Sequence, residues 1–400
     1  MKNVDSNYKN SGIPSVPSKR VCPFDPPPEY KYLRTEYPIS QVLTQRGDIV
    51  WLVTKFEDIC NILVDKRFSS DPKAPGFPTY ITGNVPPPPG FFLQADAPDH
   101  TRLRRAVTKE FLASHVNAMR PRMQEIFDTV LDKMLKLTPP VDFVKTLAIP
   151  VASQIICELL GVSLIDYPFV KNRTDIILDR SRSAKETEIA AIELMELFDR
   201  IVTAKEKTPS DDLLGRLILQ VKNDGRLNHE ELVGLAALLL LSAYDTMALA
   251  MGLGVVVLLQ NPQQLADFLK DPSLGDNLVH ELVRYLTINH SGLPRAAIED
   301  IEINGTLIRA GEGVLLMINS GNRDECAFDK PDMFNIHRNE HSHLGFGHGV
   351  HKCLGMHFAL AELQIAFRTL FTRVPSLNLT KNIYDSTGYF ACTVLKINVL

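Results

Sequence analysis

NIHRNEHSHLGFGHGVHKCLGMHFALAE, residues 335–362, decides how this chain is read, because six of its eleven histidines (His337, His341, His343, His348, His351, His357) crowd around Cys353. Imidazole and thiolate are zinc ligands, and His351-x-Cys353 offers two of them. No C-x-x-C or H-x-x-E-H spacing accompanies that pair, and zinc leaves the glycines unexplained. Gly345, Gly347 and Gly349 alternate and Gly355 follows the cysteine, which strips side chains from the backbone where something flat approaches closely. The following LGMHFALAELQIAFRTLF has helical spacing, so the thiol stands at a helix mouth where N–H groups and the helix dipole favour a thiolate. A thiolate beneath a planar group is haem ligation, in which sulfur donates electron density that favours O–O cleavage. A plain buried cysteine in a glycine-rich loop is the alternative.

Outward from this stretch the chain is ordinary. It has 400 residues, 43 Lys+Arg against 47 Asp+Glu for a net charge of −4, and 45% apolar content. That length buries a large core without disulfides, and the charge balance gives no global field for nucleic acid. Six scattered cysteines (Cys22, Cys60, Cys157, Cys326, Cys353, Cys392) read as reduced thiols of a cytoplasmic protein. Residues 1–20 are polar, lack an apolar signal core and read as a flexible tail. Residues 21–400 keep one composition without linker or repeat and read as a single domain. FDPPPEY (24–30) and NVPPPPGFF (84–92) cannot be helix or central strand.

GDIVWLVTKFEDICNILVD predicts a strand holding Trp51, then a short helix starting around Phe56 to Asp58. DHTRLRRAVTKEFLASHV, NAMRPRMQEIFDTVLDKMLKL, ASQIICELLGV and ETEIAAIELMELFDRIVTAKE have helical periodicity. IEDIEINGTLIRAGEGVLLMI alternates apolar with polar residues around Asn304-Gly305, a hairpin signal. The sum is a mainly α (α+β) fold with small β-sheets. The run 231–262 is long enough to span a bilayer, yet Asp245 at its midpoint would be costly in lipid. It predicts a long helix through the centre of the protein, not a membrane span, and makes Asp245 an acid that needs a partner or a job.

Phe346-Gly347-His348-Gly349-Val350-His351-Lys352-Cys353-Leu354-Gly355 resembles the haem-thiolate signature of the cytochrome P-450 superfamily, F-x-x-G-x-x-x-C-x-G, at every fixed position. Glu281-Leu282-Val283-Arg284 resembles the family's E-x-x-R, and Pro331-Asp332-Met333-Phe334 with Arg338 resembles the segment whose arginine completes that triad. His100 and Arg104 match H-x-x-x-R, Arg295 matches R-x-A-x-x-D, and His351 stands where members carry a propionate partner. Ser242-Ala243-Tyr244-Asp245-Thr246 resembles [AG]-G-x-[DE]-T, with Ala243 in place of the glycine and Ser242 in place of a small apolar residue.

The resemblance implies the P-450 fold with its long central helix over haem b, Cys353 as axial iron ligand, and Phe346, Gly347 and Gly355 shaping the loop around it. It implies that Asp245 supplies protons through water while the Thr246 hydroxyl bonds dioxygen, the two side chains locally widening the helix. The implied activity is O2-dependent hydroxylation or epoxidation of a hydrophobic small molecule, free or carrier-protein-bound, on a secondary-metabolite scaffold. NAD(P)H would act indirectly, through a ferredoxin or flavodoxin and its reductase. The pocket implied has walls from Leu238, Leu241, Ser242, His290, Ser291, Leu293, Tyr389 and Phe390. Lys352, Arg102 and Arg105 are the expected positive docking patch of a monomer. Two other readings are a nitric-oxide-reductase-like enzyme using NAD(P)H directly, against which Asp245 argues, and a non-enzymatic haem sensor or carrier.

Overall fold

The computed structural model describes residues 12–22, 24–78, 87–178, 182–381 and 396–398. The helices, in chain order, begin with α1 (Glu29–Glu36), α2 (Phe56–Val64), α3 (Asp99–Thr108), α4 (Ala113–Met134), α5 (Ile149–Leu160) and α6 (Tyr167–Leu178). They continue with α7 (Ala184–Lys207), α8 (Leu213–Asp224), α9 (His229–Gln260), α10 (Pro262–Lys270), α11 (Gly275–Leu286), α12 (Ile318–Gly321) and α13 (Met356–Arg373). Within the described residues the chain sorts into two compact units of interleaved segments. Met1–Tyr80, Leu93–Asp96 and His280–Cys353 form the first, and Ile81–Phe92, Ala97–Val279 and Leu354–Leu400 the second. No linker marks a boundary because the chain passes between units repeatedly, which is why uniform composition suggested one domain.

The first unit is built on a five-stranded sheet in the order β1-β2-β7-β4-β3, comprising β1 (Ile39–Leu43), β2 (Ile49–Val53), β3 (Phe68–Ser69), β4 (Leu293–Ala297) and β7 (Gly313–Leu316). Strand periodicity sends Val314 and Leu316 into one apolar cluster with Ile59, Ile62 and Ile318, and Leu315 into another with Tyr30, Leu33 and Leu52. β7 is therefore buried on both faces. β5 (Ile301–Ile303) and β6 (Thr306–Ile308) form the expected hairpin. Its corner residues Asn304 and Gly305 have φ of 50° and 78°, the pair of positive values that a tight two-residue hairpin turn demands.

Within residues 1–20, the part that the structure describes is hydrogen-bonded to β1 and α1. Leu43 N–H donates to the Pro14 carbonyl at 2.8 Å, Val16 N–H donates to the Leu43 carbonyl at 3.0 Å, and Tyr30 Oη donates to the Pro17 carbonyl at 2.9 Å. The open edge of β1 offers unpaired backbone groups, and prolines that pre-set an extended backbone reduce the entropy lost in pairing with it. Residues 1–11 lie outside the described set.

The second unit is organised around α9, 32 residues long or about 48 Å. A capping box starts it: Asn228 Oδ1 accepts from Glu231 N–H (2.9 Å) while Glu231 Oε2 accepts from Asn228 N–H (3.0 Å). α9 packs against α5, α7 and α13, and 72% of its most apolar 18-residue window is buried in protein, as the central-helix reading requires. β8 (Asn378–Lys381) pairs with β9 (Lys396–Asn398) at the end of the chain.

On α13 the sequence conceals an anomaly. Glu362 is completely buried, its Oε1 has no hydrogen-bond partner among the described residues, and burial pushes its carboxyl up to about 8. The folded chain thus holds a proton that the unfolded chain releases above the ordinary glutamate range. Stability falls as pH rises from about 4.5 to about 8, by at most roughly 1.4 kcal/mol per unit. Glu362→Gln removes that titration. Urea unfolding is expected to show the variant's advantage growing by about 3 kcal/mol between pH 5 and pH 7.5. An advantage that does not grow with pH would show that Glu362 is paired.

Candidate active site

Cys353 is exposed, and its N–H donates to the Phe346 carbonyl at 2.7 Å, closing the loop that begins at Leu344. Of the three alternating glycines, only Gly347 is uncrowded: a Cβ there would make ordinary contact with the His351 carbonyl oxygen at 3.6 Å. The other two approach protein. A Cβ at Gly345 would lie 2.5 Å from Val283, and one at Gly349, where φ is 69°, would lie 2.7 Å from the Leu63 carbonyl oxygen. Their role is to press the cysteine loop onto α11 and α2, a correction to the reading that all three clear space for a flat ligand. Gly355 is the N-cap of α13, so the cysteine does stand just before a helix.

The Glu281–Arg284–Arg338 triad is present. Glu281 accepts from Arg284 Nε (2.7 Å) and Nη2 (2.8 Å), from Arg338 Nε (3.2 Å) and from Asn335 N–H (2.8 Å). Arg284 Nη1 also donates to the carbonyls of Asn322 (2.7 Å) and Pro331 (2.8 Å), so this buried cluster ties α11 to the loop leading toward Cys353. Sequence inspection missed two buried supports of the same region. Asn322 Oδ1 accepts from Leu344 N–H (2.7 Å). Arg323, fully buried, donates to the Tyr285 carbonyl (3.0 Å) and to Asp332 (3.1 Å). Both sit in NRDECAF, which looks like a solvated polar turn.

The cations expected to meet propionates divide between the units. Arg295, on β4, is buried, and its only hydrogen bond among the described residues goes to the Pro294 carbonyl (2.7 Å). Burial pulls it down to about 10, against the opposing pull of Asp96. Asp96 itself accepts from Ser69 Oγ (2.5 Å) and Ser70 N–H (2.9 Å). A buried guanidinium with no carboxylate bonded to it is costly unless an anion arrives. His351 Nε2 lies 3.0 Å from Ser70 Oγ. In the second unit, His100 and Arg104 share one face of α3: the His100 ring meets Phe92 edge-on at 6.1 Å and the Arg104 guanidinium lies 6.0 Å from the centre of that ring.

Between Leu232 and Leu258, α9 is buried at every position except Leu241, Ser242, Ala243, Asp245 and Thr246. Burial pushes Asp245 up to about 6, Asp175 adding to the shift and Lys171 opposing it. Lys171 and Asp175 pair on α6 at 2.6 Å, four residues apart, and so read in the sequence as an ordinary solvated pair. The expected widening of α9 is not seen. The helix is continuous, and Thr246 Oγ1 donates to the carbonyls of Ser242 (2.8 Å) and Ala243 (3.1 Å). With its hydrogen committed to the helix, the Thr246 hydroxyl presents an acceptor oxygen.

Several expected wall residues fare differently. Leu241 and Ser242 lie in the open stretch of α9, Leu238 is buried, and Leu293 packs against the sheet core. His290 is a structural tie: its Nε2 faces Arg20 Nη1 at 3.4 Å and its Nδ1 faces Asn319 Nδ2 at 3.2 Å, and burial pulls it down to about 3. Arg20 and Asn319 present donors to its two ring nitrogens, and a neutral ring, which carries one N–H, accepts from only one of them. Ser291 N–H donates to Asn289 Oδ1 at 3.0 Å. Tyr389 and Phe390 lie outside the described residues. Arg102 also departs from expectation, because Glu231 (2.5 Å) and Asp99 (3.0 Å) already neutralise it. Among the described residues no three His, Cys, Asp or Glu side chains converge to hold a metal ion.

An exposed cysteine in a loop braced by a buried charge triad, a buried guanidinium with no carboxylate bonded to it, and an acid–alcohol pair in the partly exposed stretch of a core helix fit a haem-thiolate oxygenase. The "Cytochrome P450" family profile matches residues 266–374. Cytochrome P450-SU2 of Streptomyces griseolus is 39% identical over 369 residues, covering 91% of each chain. Pentalenic acid synthase of Streptomyces avermitilis is 40% identical over 367 residues, again covering 91% of each. The crystal structure of mycinamicin VIII C21 methyl hydroxylase from Micromonospora griseorubida, bound to mycinamicin VIII, superposes with a TM-score of 0.88 at 34% identity, covering 96% of this chain and 100% of that one. The chain belongs to the cytochrome P450 family. It is a P450 monooxygenase that uses haem and dioxygen, with electrons delivered by redox partners.

Proposed function

We propose that this enzyme hydroxylates or epoxidises a hydrophobic secondary-metabolite scaffold, with Cys353 as the axial haem ligand. His100, Arg104, Arg295 and His351 hold the propionates; the bare guanidinium of Arg295 supports this assignment. Haem supplies dioxygen activation, favoured by the thiolate. Asp245 stores and returns a proton near neutral pH, and Thr246 accepts a hydrogen bond through its outward-facing oxygen. Leu241 and Ser242 meet the substrate, an apolar surface with one hydroxyl.

The partner is an acidic ferredoxin or flavodoxin of the cytoplasm, met by the exposed Lys352 and Arg105. The observation that carries the reading is the open stretch of α9, since an acid and an alcohol otherwise have no reason to interrupt a core helix. Optical titration of the ferric holoprotein against a panel of hydrophobic metabolites tests it. Polyketide, terpenoid or peptide scaffolds are expected to drive a low-to-high spin shift, and a spectrum that no member perturbs, free or carrier-bound, defeats the assigned substrate class.

A further inference from the structure

Three histidines of the decisive stretch and its partner helix remain unused by the proposed chemistry. His343 is buried, and its Nδ1 accepts from Gly345 N–H at 3.1 Å. In a neutral ring that leaves the proton on Nε2, 3.0 Å from His280 Nδ1, which must then accept it. His341 stacks on His280 at 4.2 Å with an 11° angle between the rings. Phe346 packs edge-on against His280 at 6.1 Å and tilted at 42° against His343 at 5.6 Å. The backbone of Gly345 is pressed onto Val283 of the same helix, α11, and the Phe346 carbonyl receives Cys353 N–H. One bonded path therefore runs from α11 through two imidazoles to the short helical turn at Gly345–Phe346 that positions the cysteine.

We propose that His280 and His343 are positioning residues, a directed imidazole relay that holds the Gly345–Phe346 segment so that Cys353 is presented for ligation. The relay has a single fully bonded state. A proton on His280 Nδ1 would set N–H against N–H, and a proton on His343 Nδ1 would face the Gly345 N–H. The titratable groups facing His343 are His280 and Arg284 from α11, His341 from its own loop and Lys352 from the cysteine loop, all basic, and burial with these neighbours pulls it down to about 3. The nearby carboxylate, Glu281, is committed to Arg284, Arg338 and Asn335 N–H. Acid accordingly breaks the relay at its one acceptor, His280 Nδ1.

This rests on Cys353 as the axial ligand, and the test separates the two claims. The fraction of thiolate-ligated holoprotein is followed by the ferrous–CO Soret band from pH 8 to pH 5 in the parent, His280→Asn and His280→Leu. Asparagine places an acceptor oxygen where Nδ1 stood and cannot be protonated; leucine offers no acceptor. The parent is expected to lose the thiolate-type band as the pH falls, the asparagine variant to keep it about one pH unit or more lower, and the leucine variant to show at least about a two-fold smaller band already at pH 8. Three coincident pH profiles overturn the relay, and a parent with no thiolate-type band overturns the Cys353 assignment instead. If the leucine variant loads no haem, nitrogen NMR of the diamagnetic ferrous–CO parent decides: His343 protonated on Nε2 supports the relay, and protonated on Nδ1 overturns it.

Discussion

Replacing Glu281 with alanine is expected to cost about 3–5 kcal/mol of stability, because it leaves two buried guanidiniums without their carboxylate. Burial, not contact distance, sets this magnitude. Arg122 and Glu158 approach to 2.5 Å, closer than any contact in the triad, yet their side chains are 50% and 39% exposed, so that pair is worth about 0.2–1 kcal/mol. Arg284 and Glu281 are 0% and 1% exposed, and Glu281 also receives Arg338 and Asn335 N–H. Water can re-solvate Arg122 after a substitution and cannot reach Arg284. Urea unfolding at constant pH measures the loss. Glu281→Gln, which keeps the shape and one acceptor oxygen but removes the charge, is expected to fall between parent and alanine variant. A loss below about 1 kcal/mol for Glu281→Ala would mean that the arginines find other acceptors, and the triad would not be the brace of the cysteine loop.

What was legible in the sequence is what short-range chemistry dictates. The cysteine loop, the Asn304-Gly305 hairpin and the long apolar helix each require particular residue types at fixed local spacing, and each is found where expected. The sheet was not legible, because β2 pairs in parallel with β7 across more than 250 residues and neither strand names its partner. Charged groups misled for the same reason. Arg102 looks like a surface charge until Glu231, far along the chain, takes it up, while Lys171 and Asp175 are four apart like an ordinary solvated pair, yet add smaller, opposing effects to the burial that raises Asp245. The periodic run 99–116 reads as one helix, yet α3 ends at Thr108 and Leu112 is extended before α4. Buried Glu110, in that break, is bonded by Arg216 at 2.8 Å, a tertiary tie that local helix propensity does not contain.

Asp245→Asn is expected to lower product turnover by about 10²–10³, within the range a positioned proton donor contributes, while the substrate-induced spin shift remains. The side chain keeps its shape and loses only the ability to exchange a proton. In the parent, burial and Asp175 hold this carboxyl at about 6 while Lys171 opposes the rise. The protonated fraction therefore declines above about pH 6, and turnover limited by proton delivery declines with it, approaching tenfold per unit. The neighbours fix the sign of two further shifts: Lys171→Met removes the opposing cation and moves that limb to higher pH, and Asp175→Asn removes a like charge and moves it lower. In Asp245→Asn the limb itself disappears. Thr246→Ala has a different signature, because that hydroxyl does not titrate and its hydrogen is already bonded to the Ser242 and Ala243 carbonyls. Losing its acceptor oxygen is expected to leave reductant consumption fast and divert it to hydrogen peroxide, whereas losing the Asp245 proton slows consumption and product together. Parallel measurement of reductant, peroxide and product in the two variants separates the roles. Equal peroxide yields from both would show that acid and alcohol act as one unit, not as donor and acceptor.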